Sequence, residues 1–299
     1  MKVAITGASG LVGKALGASL EQRGDTVCRV VRHDPKPGEI LWDPDKQEID
    51  ASKLEGLDAI VHLAGENIAG ERWSASFKEK ILDSRVKGTK LIADTITKLS
   101  SPPKVFVSAS AVGIYGDRGD AVLTEDSRGG EGFLSDVCRA WEACADRMIE
   151  APTRLAKVRF GMILSREGGS LTKMLTPFRL GLGGVIGSGH QYMSWVTLDD
   201  VVRAIEFIID RGDATGVFNV TAPIPVTNRE FTKTLGKVLH RPTIFPVPVF
   251  MLRLALGEMA DQLLLSSARV IPERLEKIGF HFTQPQLEGA LRSVLAKAK

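Results

Sequence analysis

The feature that most restricts this chain is the run Gly7-Ala8-Ser9-Gly10-Leu11-Val12-Gly13, set between a short apolar stretch at 2–6 and a helical pattern. Leu11, Val12, Ala15, Leu16 and Leu20 recur at helical spacing, Gly24 ends them, and Thr26–Val31 is a β-branched run. The order is strand, glycine turn, helix, strand. In that context the first glycine permits the tight turn, the second lets backbone amides approach a pyrophosphate, and the third lets the helix sit close to the strand. The helix N-terminus then aims unpaired N–H groups at the phosphates. A glycine triplet alone could be only a structural turn. Here its context predicts a dinucleotide site made by Gly7, Ser9, Gly10, Leu11, Val12 and Gly13.

The residue ending the second strand selects the nucleotide. An acid there would hydrogen-bond a ribose 2′-hydroxyl, whereas this chain has Val31-Arg32-His33. Arg32 can pair with a 2′-phosphate through its planar fork, which favours NADP over NAD. The alternative is a solvated strand end.

Further along, strands are expected near 39–42, at 58–63, 105–108, 155–160 and 217–220, with helices at 74–99, 134–150 and 198–211. Alternation of this kind implies an α/β fold, a Rossmann doubly wound parallel sheet with helices on both faces. Residues 161–195 are glycine-rich and read as a partly helical insertion. From Pro223 the chain holds several helices separated by prolines. The expected organisation is a dinucleotide-binding domain over 1–160, with 196–221 returning to it. A smaller, mostly helical substrate-side lobe takes 161–195 and 222–299.

Composition excludes other classes. Lys+Arg 39 against Asp+Glu 36, with the basic residues scattered, gives no footprint for nucleic acid or an anionic membrane. No apolar run approaches the roughly 18 residues of a spanning helix, and the N-terminus lacks a signal-peptide pattern. Cys28, Cys138 and Cys144 show no metal-ligand spacing and suggest reduced thiols, hence a cytoplasmic protein with no metal.

The glycine turn, "HLAG" at 62–65, "VKGT" at 86–89 and "SASAVGIYGD" at 108–117 resemble the extended short-chain dehydrogenase/reductases, a group that includes nucleotide-sugar epimerases and dehydratases. "LAGENIAGERW" (63–73), "PFRLGLGGVIGSGHQYMSW" (177–195) and "VIPERLEKIGF" (270–280) resemble one epimerase-like NAD(P)-binding branch with a helical C-terminal domain. The resemblance implies further cofactor contacts. Leu63, Ala64 and Gly65 would lie beside the adenosine ribose and phosphates, and Arg85 would approach from the long helix, where the parent group usually carries Asn. Phe160, Gly161 and Met162 would flank the nicotinamide ribose. For the apolar members, core packing is an equal alternative.

The chain departs from the group in its chemistry. The parent group carries Tyr-x-x-x-Lys on the helix after the "YG" loop, the lysine lowering the tyrosine pKa so that the phenol can exchange a proton. Alignment on Trp141-Glu142 puts Leu134 and Cys138 at those positions. Leucine cannot transfer a proton, and a thiol brings no fixed positive charge. Ser110, at the parent group's hydroxyl-helper position, and Tyr115, on the following loop, are the replacement candidates for catalysis. Arg179, His190 and Gln191 in the insertion are others. Trp73 and Trp195 could stack on a ring-bearing substrate or pack the core. Asp199 and Asp200 read as helix-start residues, and Glu125-Asp126 as solvated loop charge. Two functions follow as expectations. One is an NADP(H)-dependent oxidoreductase or epimerase acting on a hydroxyl or carbonyl substrate, with a nucleotide sugar as one candidate. The other is a non-catalytic NADP(H)-binding regulatory or assembly protein. The helices at 74–99 and 134–150 resemble the pair that makes homodimer interfaces in the parent group.

Overall fold

The computed structural model describes residues 1–148 and 151–296. The central sheet has eight strands: β1 (Lys2–Thr6), β2 (Thr26–Val31), β3 (Ile40–Asp43), β4 (Glu48–Ile49), β5 (Ala59–His62), β6 (Val105–Ala111), β7 (Arg154–Phe160) and β8 (Gly216–Val220). Their spatial order is β8-β7-β6-β5-β1-β2-β3-β4, all parallel except the antiparallel edge strand β4. Helices α1 (Leu11–Gln22), α2 (Ala75–Ile96), α3 (Phe133–Ala145) and α5 (Leu198–Asp210) pack on it, whereas α4 (Gly169–Arg179) and α6 (Asn228–Leu239) build a separate core.

Strand residues alternate between two cores, as the two-residue side-chain period of a strand requires. Val3, Ile5, Val61, Val107 and Val158 face Leu16 and Leu20 of α1 and Val201, Ile205 and Ile208 of α5. Ala4, Ile60 and Phe106 face Leu91, Ile92 and Ile96 of α2 on the other side. Both faces are covered, so the strands read as continuous apolar runs.

A third core joins Leu171, Leu175 and Phe178 of α4 to Trp195, to Phe231 and Leu235 of α6, and to Leu287 and Leu291 of the last helix, Leu287–Ala296. The tail does not belong wholly to this lobe, because Leu275 and Phe280 pack into the main sheet core. Arg269–Val270 forms a short parallel pair with Val122–Leu123, strapping the tail across the loop after β6. No described helix is long and apolar enough to cross a membrane. The helix expected over 134–150 runs from Phe133 to Ala145 and tightens into a 3₁₀ turn at Asp146–Met148, and its last two positions lie outside the described residues. The expected lobe boundary at 299 does so too.

Candidate functional site

The strand order reverses between β1 and β5, since the chain passes from β1 to β2 on one side and later returns to β5 on the other. In open α/β sheets such a switch point opens a crevice at the carboxyl ends of the strands. The two loops bordering it nearly touch. Gly7 has φ +66°, and a Cβ placed on it would stand 2.9 Å from both Leu63 C and Ala64 N. The register sets Thr6 opposite His62, and Thr6 Oγ1 accepts hydrogen bonds from the Leu63 and Ala64 amides at 3.1 and 3.2 Å. With its lone pairs taken, the hydroxyl donates to His62 Nδ1 at 2.7 Å. His62 is fully buried, and burial with the nearby Arg85 charge lowers its pKa to about 3, so the ring is neutral.

The rest of the turn is equally tight. A Cβ on Gly13 would meet Gly7 O, stand 2.8 Å from Ala8 Cα, and drive α1 off the strand. Gly10 is the N-cap of α1, and no side chain caps the helix. By contrast, Ser74, Thr197 and Thr227 cap α2, α5 and α6 through their hydroxyls. The first N–H groups of α1 are therefore open toward the crevice, where Ser9 and Gly10 are exposed. This bare cradle fits an anionic pyrophosphate. Arg32 follows β2 directly and is exposed, and among the described residues no carboxylate pairs with it. Leu11 lies against Gly168 and Gly169 at the start of α4, which brings the insertion to the rim of the turn. Two surface grooves, of about 500 and 310 Å³, lie elsewhere and are lined by none of these residues.

The other end of the crevice is built from charged side chains. Register puts Ser110, Arg159 and Asn219 side by side on β6, β7 and β8. The Arg159 guanidinium makes a two-pronged pair with Glu142 of α3, Nε to Oε1 at 2.7 Å and Nη2 to Oε2 at 2.8 Å. Ser110 Oγ donates to the same Oε1 at 2.7 Å. Arg159 Nη1 donates to the Tyr115 hydroxyl at 2.8 Å, which in turn donates to Asn219 Oδ1 at 2.7 Å. Burial opposes the Arg159 charge, but the hydrogen bonds and charge of Glu142 outweigh it and hold its pKa up. Burial likewise raises the pKa of the Tyr115 phenol, which is 0% exposed.

Glu125 joins from below, accepting from the Asn219 amide at 2.9 Å and the Arg274 amide at 3.3 Å. It is buried, with its pKa raised by desolvation, and so is not the solvated loop charge the sequence suggests. Its neighbour Asp126 is exposed and pairs with Arg274. Sequence reasoning also missed Arg159 and Glu142. The available signal was an arginine directly before Phe160, between the apolar Val158 and Phe160 of a sheet strand, a position that demands a partner if it is buried.

The remaining candidates separate clearly. Leu134 and Cys138 are buried on α3, and burial, with the Glu142 charge, raises the Cys138 pKa to about 11. Arg85 lies between Gly65 and α3, its guanidinium 5.0 Å from the Trp141 ring centroid. Phe160 packs against the main core and Met162 against the smaller one. Trp195 is a core residue, donating to Ile224 O at 3.1 Å. Trp73 is half-buried edge-on to Phe133. Gln191 is spent on the Ile186 and Leu264 carbonyls, while His190 and Arg179 are exposed. Asp199 is exposed, whereas Asp200 is buried and accepts from the Thr283 and Gln284 amides, pinning the tail to α5.

Residues 3–221 match the sequence model of the NAD dependent epimerase/dehydratase family. The chain belongs to that family. Residues 247–294 match a domain of unknown function, DUF1731. The epimerase family protein ML0860 of Mycobacterium leprae is 42% identical over 290 residues, covering 97% of this chain and 94% of the relative. A crystal structure of the human epimerase family protein SDR39U1 with NADPH superposes with a TM-score of 0.92 at 38% identity, each chain covered completely. A nucleoside-diphosphate sugar epimerase from Corynebacterium glutamicum gives a TM-score of 0.83 at 36% identity, over 99% of this chain and 58% of that one. The extended short-chain dehydrogenase/reductase branch indicated by the motifs is therefore this chain's family, and the Rossmann fold with a helical C-terminal region is shared with these structures.

Proposed function

We propose that this epimerase-family protein binds NADP(H) across the switch-point crevice and acts as an oxidoreductase or epimerase on a hydroxyl- or carbonyl-bearing substrate. The observation that carries the reading is the uncapped, Cβ-free cradle at Gly7, Gly10 and Gly13, with Arg32, unpaired among the described residues, directly after β2. The NADPH held by the human relative in its crystal structure supports the same choice.

In this reading Gly7, Ser9, Gly10, Leu11, Val12 and Gly13 receive the pyrophosphate, and Arg32 the 2′-phosphate. Leu63, Ala64, Gly65 and Arg85 border the sugar and phosphates, and Phe160 and Met162 flank the nicotinamide side. When bound, the cofactor supplies hydride transfer. Ser110 is the hydroxyl proposed to contact a substrate oxygen, its own hydrogen held by Glu142 so that its oxygen is left to accept from a substrate hydroxyl. Tyr115 is fully buried between Asn219 and Arg159, which makes it a positioning group behind Ser110. The three unpaired cysteines fit a cytoplasmic setting, and α2 and α3 offer the surface for a homodimer.

Titration with NADPH, NADP⁺, NADH and NAD⁺ tests the cofactor. NADPH should bind more tightly than NADH, and Arg32→Asp should weaken NADPH by roughly ten- to a hundred-fold while sparing NADH. Equal binding of NADH, or no effect of Arg32→Asp, would remove the assignment. For an enzyme, Ser110→Ala should slow turnover of bound cofactor without changing its affinity. A second reading, a non-catalytic NADP(H)-binding regulator, is favoured by leucine and cysteine at positions 134 and 138. It predicts different affinities for the two redox states and no turnover with any hydroxyl or carbonyl substrate.

A further inference from the structure

A further helix, α7 (Val249–Leu256), reads Val-Phe-Met-Leu-Arg-Leu-Ala-Leu, and none of its residues is buried. A helix this apolar on every side is ordinarily enclosed. Phe250, Met251 and Leu254 are instead between 54% and 77% exposed. They continue a neighbouring apolar stretch. Residues 179–187 and 241–247 run side by side, joined by Arg241 Nε to the Arg179 carbonyl at 2.9 Å and by the Val247 amide to the Val185 carbonyl at 2.8 Å. Leu182, Ile244 and Phe245 in these stretches are 62%, 74% and 64% exposed. α7 follows directly, with Val249 Cγ2 3.0 Å from where a Cβ on Gly187 would stand. Six large apolar side chains so exposed present roughly several hundred Å², more than the scattered apolar residues of an ordinary monomer surface and close to the ~800 Å² that each partner brings to a standard interface.

Charge decides what can cover this face. Basic residues are dispersed along the chain, but residues 168–198 and 231–257, which supply all six apolar side chains, contain no Asp or Glu. Arg241 is anchored on the Arg179 carbonyl, Lys233 on the Thr243 carbonyl at 2.7 Å and Arg229 on the Ser188 carbonyl at 2.8 Å, and Arg179 is itself exposed. Carbonyls orient these cations without neutralising them, and among the described residues none of the four pairs with a carboxylate. The nearby acids are engaged elsewhere: Asp261 with Arg253, Glu258 with Lys78, and Glu230 at the N-terminus of α6. Arginine, phenylalanine and methionine are residues enriched at protein interfaces. The exposed apolar set holds no tryptophan or tyrosine, and Lys233 is the one lysine among these cations, unlike a surface seated in a bilayer interface. A two-fold contact with a second copy would bring the same uncancelled cations together, and like charges oppose it.

We infer that the face formed by α7 and the paired stretches 179–187 and 241–247 docks an acidic amphipathic helix of a partner protein. The apolar side of that helix covers Phe245, Phe250 and Leu254, and its carboxylates meet Arg179, Arg229, Lys233 and Arg241. α7 supplies a helical ridge for such packing. The inference stands apart from the cofactor reading, because this face shares no residue with the glycine turn or Arg32.

The test uses the full-length protein and a synthetic helical peptide of about 18 residues, with leucines at i, i+3, i+4 and i+7 spacing and glutamates on its other face. A second peptide carries lysines in place of the glutamates. By calorimetry the glutamate peptide should bind at least about ten-fold more tightly than the lysine peptide, and added salt should narrow the difference. Phe250→Ser/Leu254→Ser should weaken the glutamate peptide by about ten-fold or more, and Arg241→Glu by about five-fold, while NADPH affinity stays within about two-fold of wild type. Equal binding of the two peptides, or no effect of the double variant, overturns the inference. Binding to phosphatidylglycerol vesicles that the double variant abolishes, with no preference for the glutamate peptide, overturns it in favour of a bilayer. Self-association in analytical ultracentrifugation that the double variant abolishes overturns it in favour of a second copy. Neither Phe250 nor Leu254 is buried, so the double variant should unfold at the wild-type temperature. A fall of several degrees would mean that α7 is held by the fold itself, and would also overturn the inference. Should Arg241→Glu unfold, Lys233→Gln takes its place in the charge test.

Discussion

The two ends of the crevice solve opposite problems. At the glycine turn the backbone is bare: no side chain caps α1, Arg32 has no ion-pair partner among the described residues, and the amides face outward. At the ends of β6, β7 and β8 the side chains are saturated, with Ser110, Glu142, Arg159, Tyr115 and Asn219 bonded to one another out of contact with water. The first end is shaped for a ligand that is absent from the fold's own bonding. The second has its buried charges satisfied from within. The first end leaves backbone geometry open, and the second closes side chains on themselves.

The largest effect should come from opening the closed end. Glu142→Ala leaves the Arg159 charge buried without its partner and should cost about 3–5 kcal/mol by denaturant unfolding. Glu142→Leu/Arg159→Met, which removes both charges, should cost much less. If the two variants were equally destabilised, the pair would be worth no more than its packing.

Closing the open end comes next. Gly13→Val forces α1 away from the turn and should cost about 3 kcal/mol while abolishing nucleotide binding. Retained NADPH affinity in that variant would break the contrast between the two ends.

Beneath the turn, His62 gives a pH signature. Its folded pKa of about 3 lies below the ordinary value of 6.5 in the unfolded chain. The unfolded state therefore gains a proton first as pH falls, so this contribution is full above about pH 6.5 and is lost on acidification, by about 1.4 kcal/mol per pH unit. His62→Phe should lack that slope. Parallel pH profiles for the two proteins would show that the ring protonates in place.

Tyr115→Phe should be the mildest, about 1 kcal/mol, because Arg159 and Asn219 lose one shared hydroxyl but keep their other bonds. A loss as large as that of Glu142→Ala would make the phenol the keystone of the network.

The same contrast governs what the sequence reveals. The open end is local: Gly7 to Gly13 and Arg32 fall within one βαβ unit, so spacing alone exposes them. The strands at 26–31 and 155–160 read correctly because β-branched and apolar residues dominate them, with β7 starting one residue earlier. β6 runs on to Ala111, past the expected end at 108, because the small residues of "SASA" carry no strand signal. β4 has two residues and no period to detect. The closed end is non-local. Glu125 meets Asn219 and Arg274 only through strands and loops 94 and 149 residues further along the chain, so a pair of acids in a polar stretch reads as solvated.

The strap formed by Arg269–Val270 on Val122–Leu123 has a consequence for how the molecule is made. A ribosome delivers β1 to β7 well before it delivers the strap, the Arg274 amide that Glu125 accepts, or Leu275 and Phe280 of the main core. Until the C-terminal segment emerges, the nascent sheet holds a desolvated glutamate short of one donor and an apolar face short of its cover. Premature stops or C-terminal fusions that hold back this segment should therefore yield chains retained by chaperones, although every residue of the glycine turn is already in place.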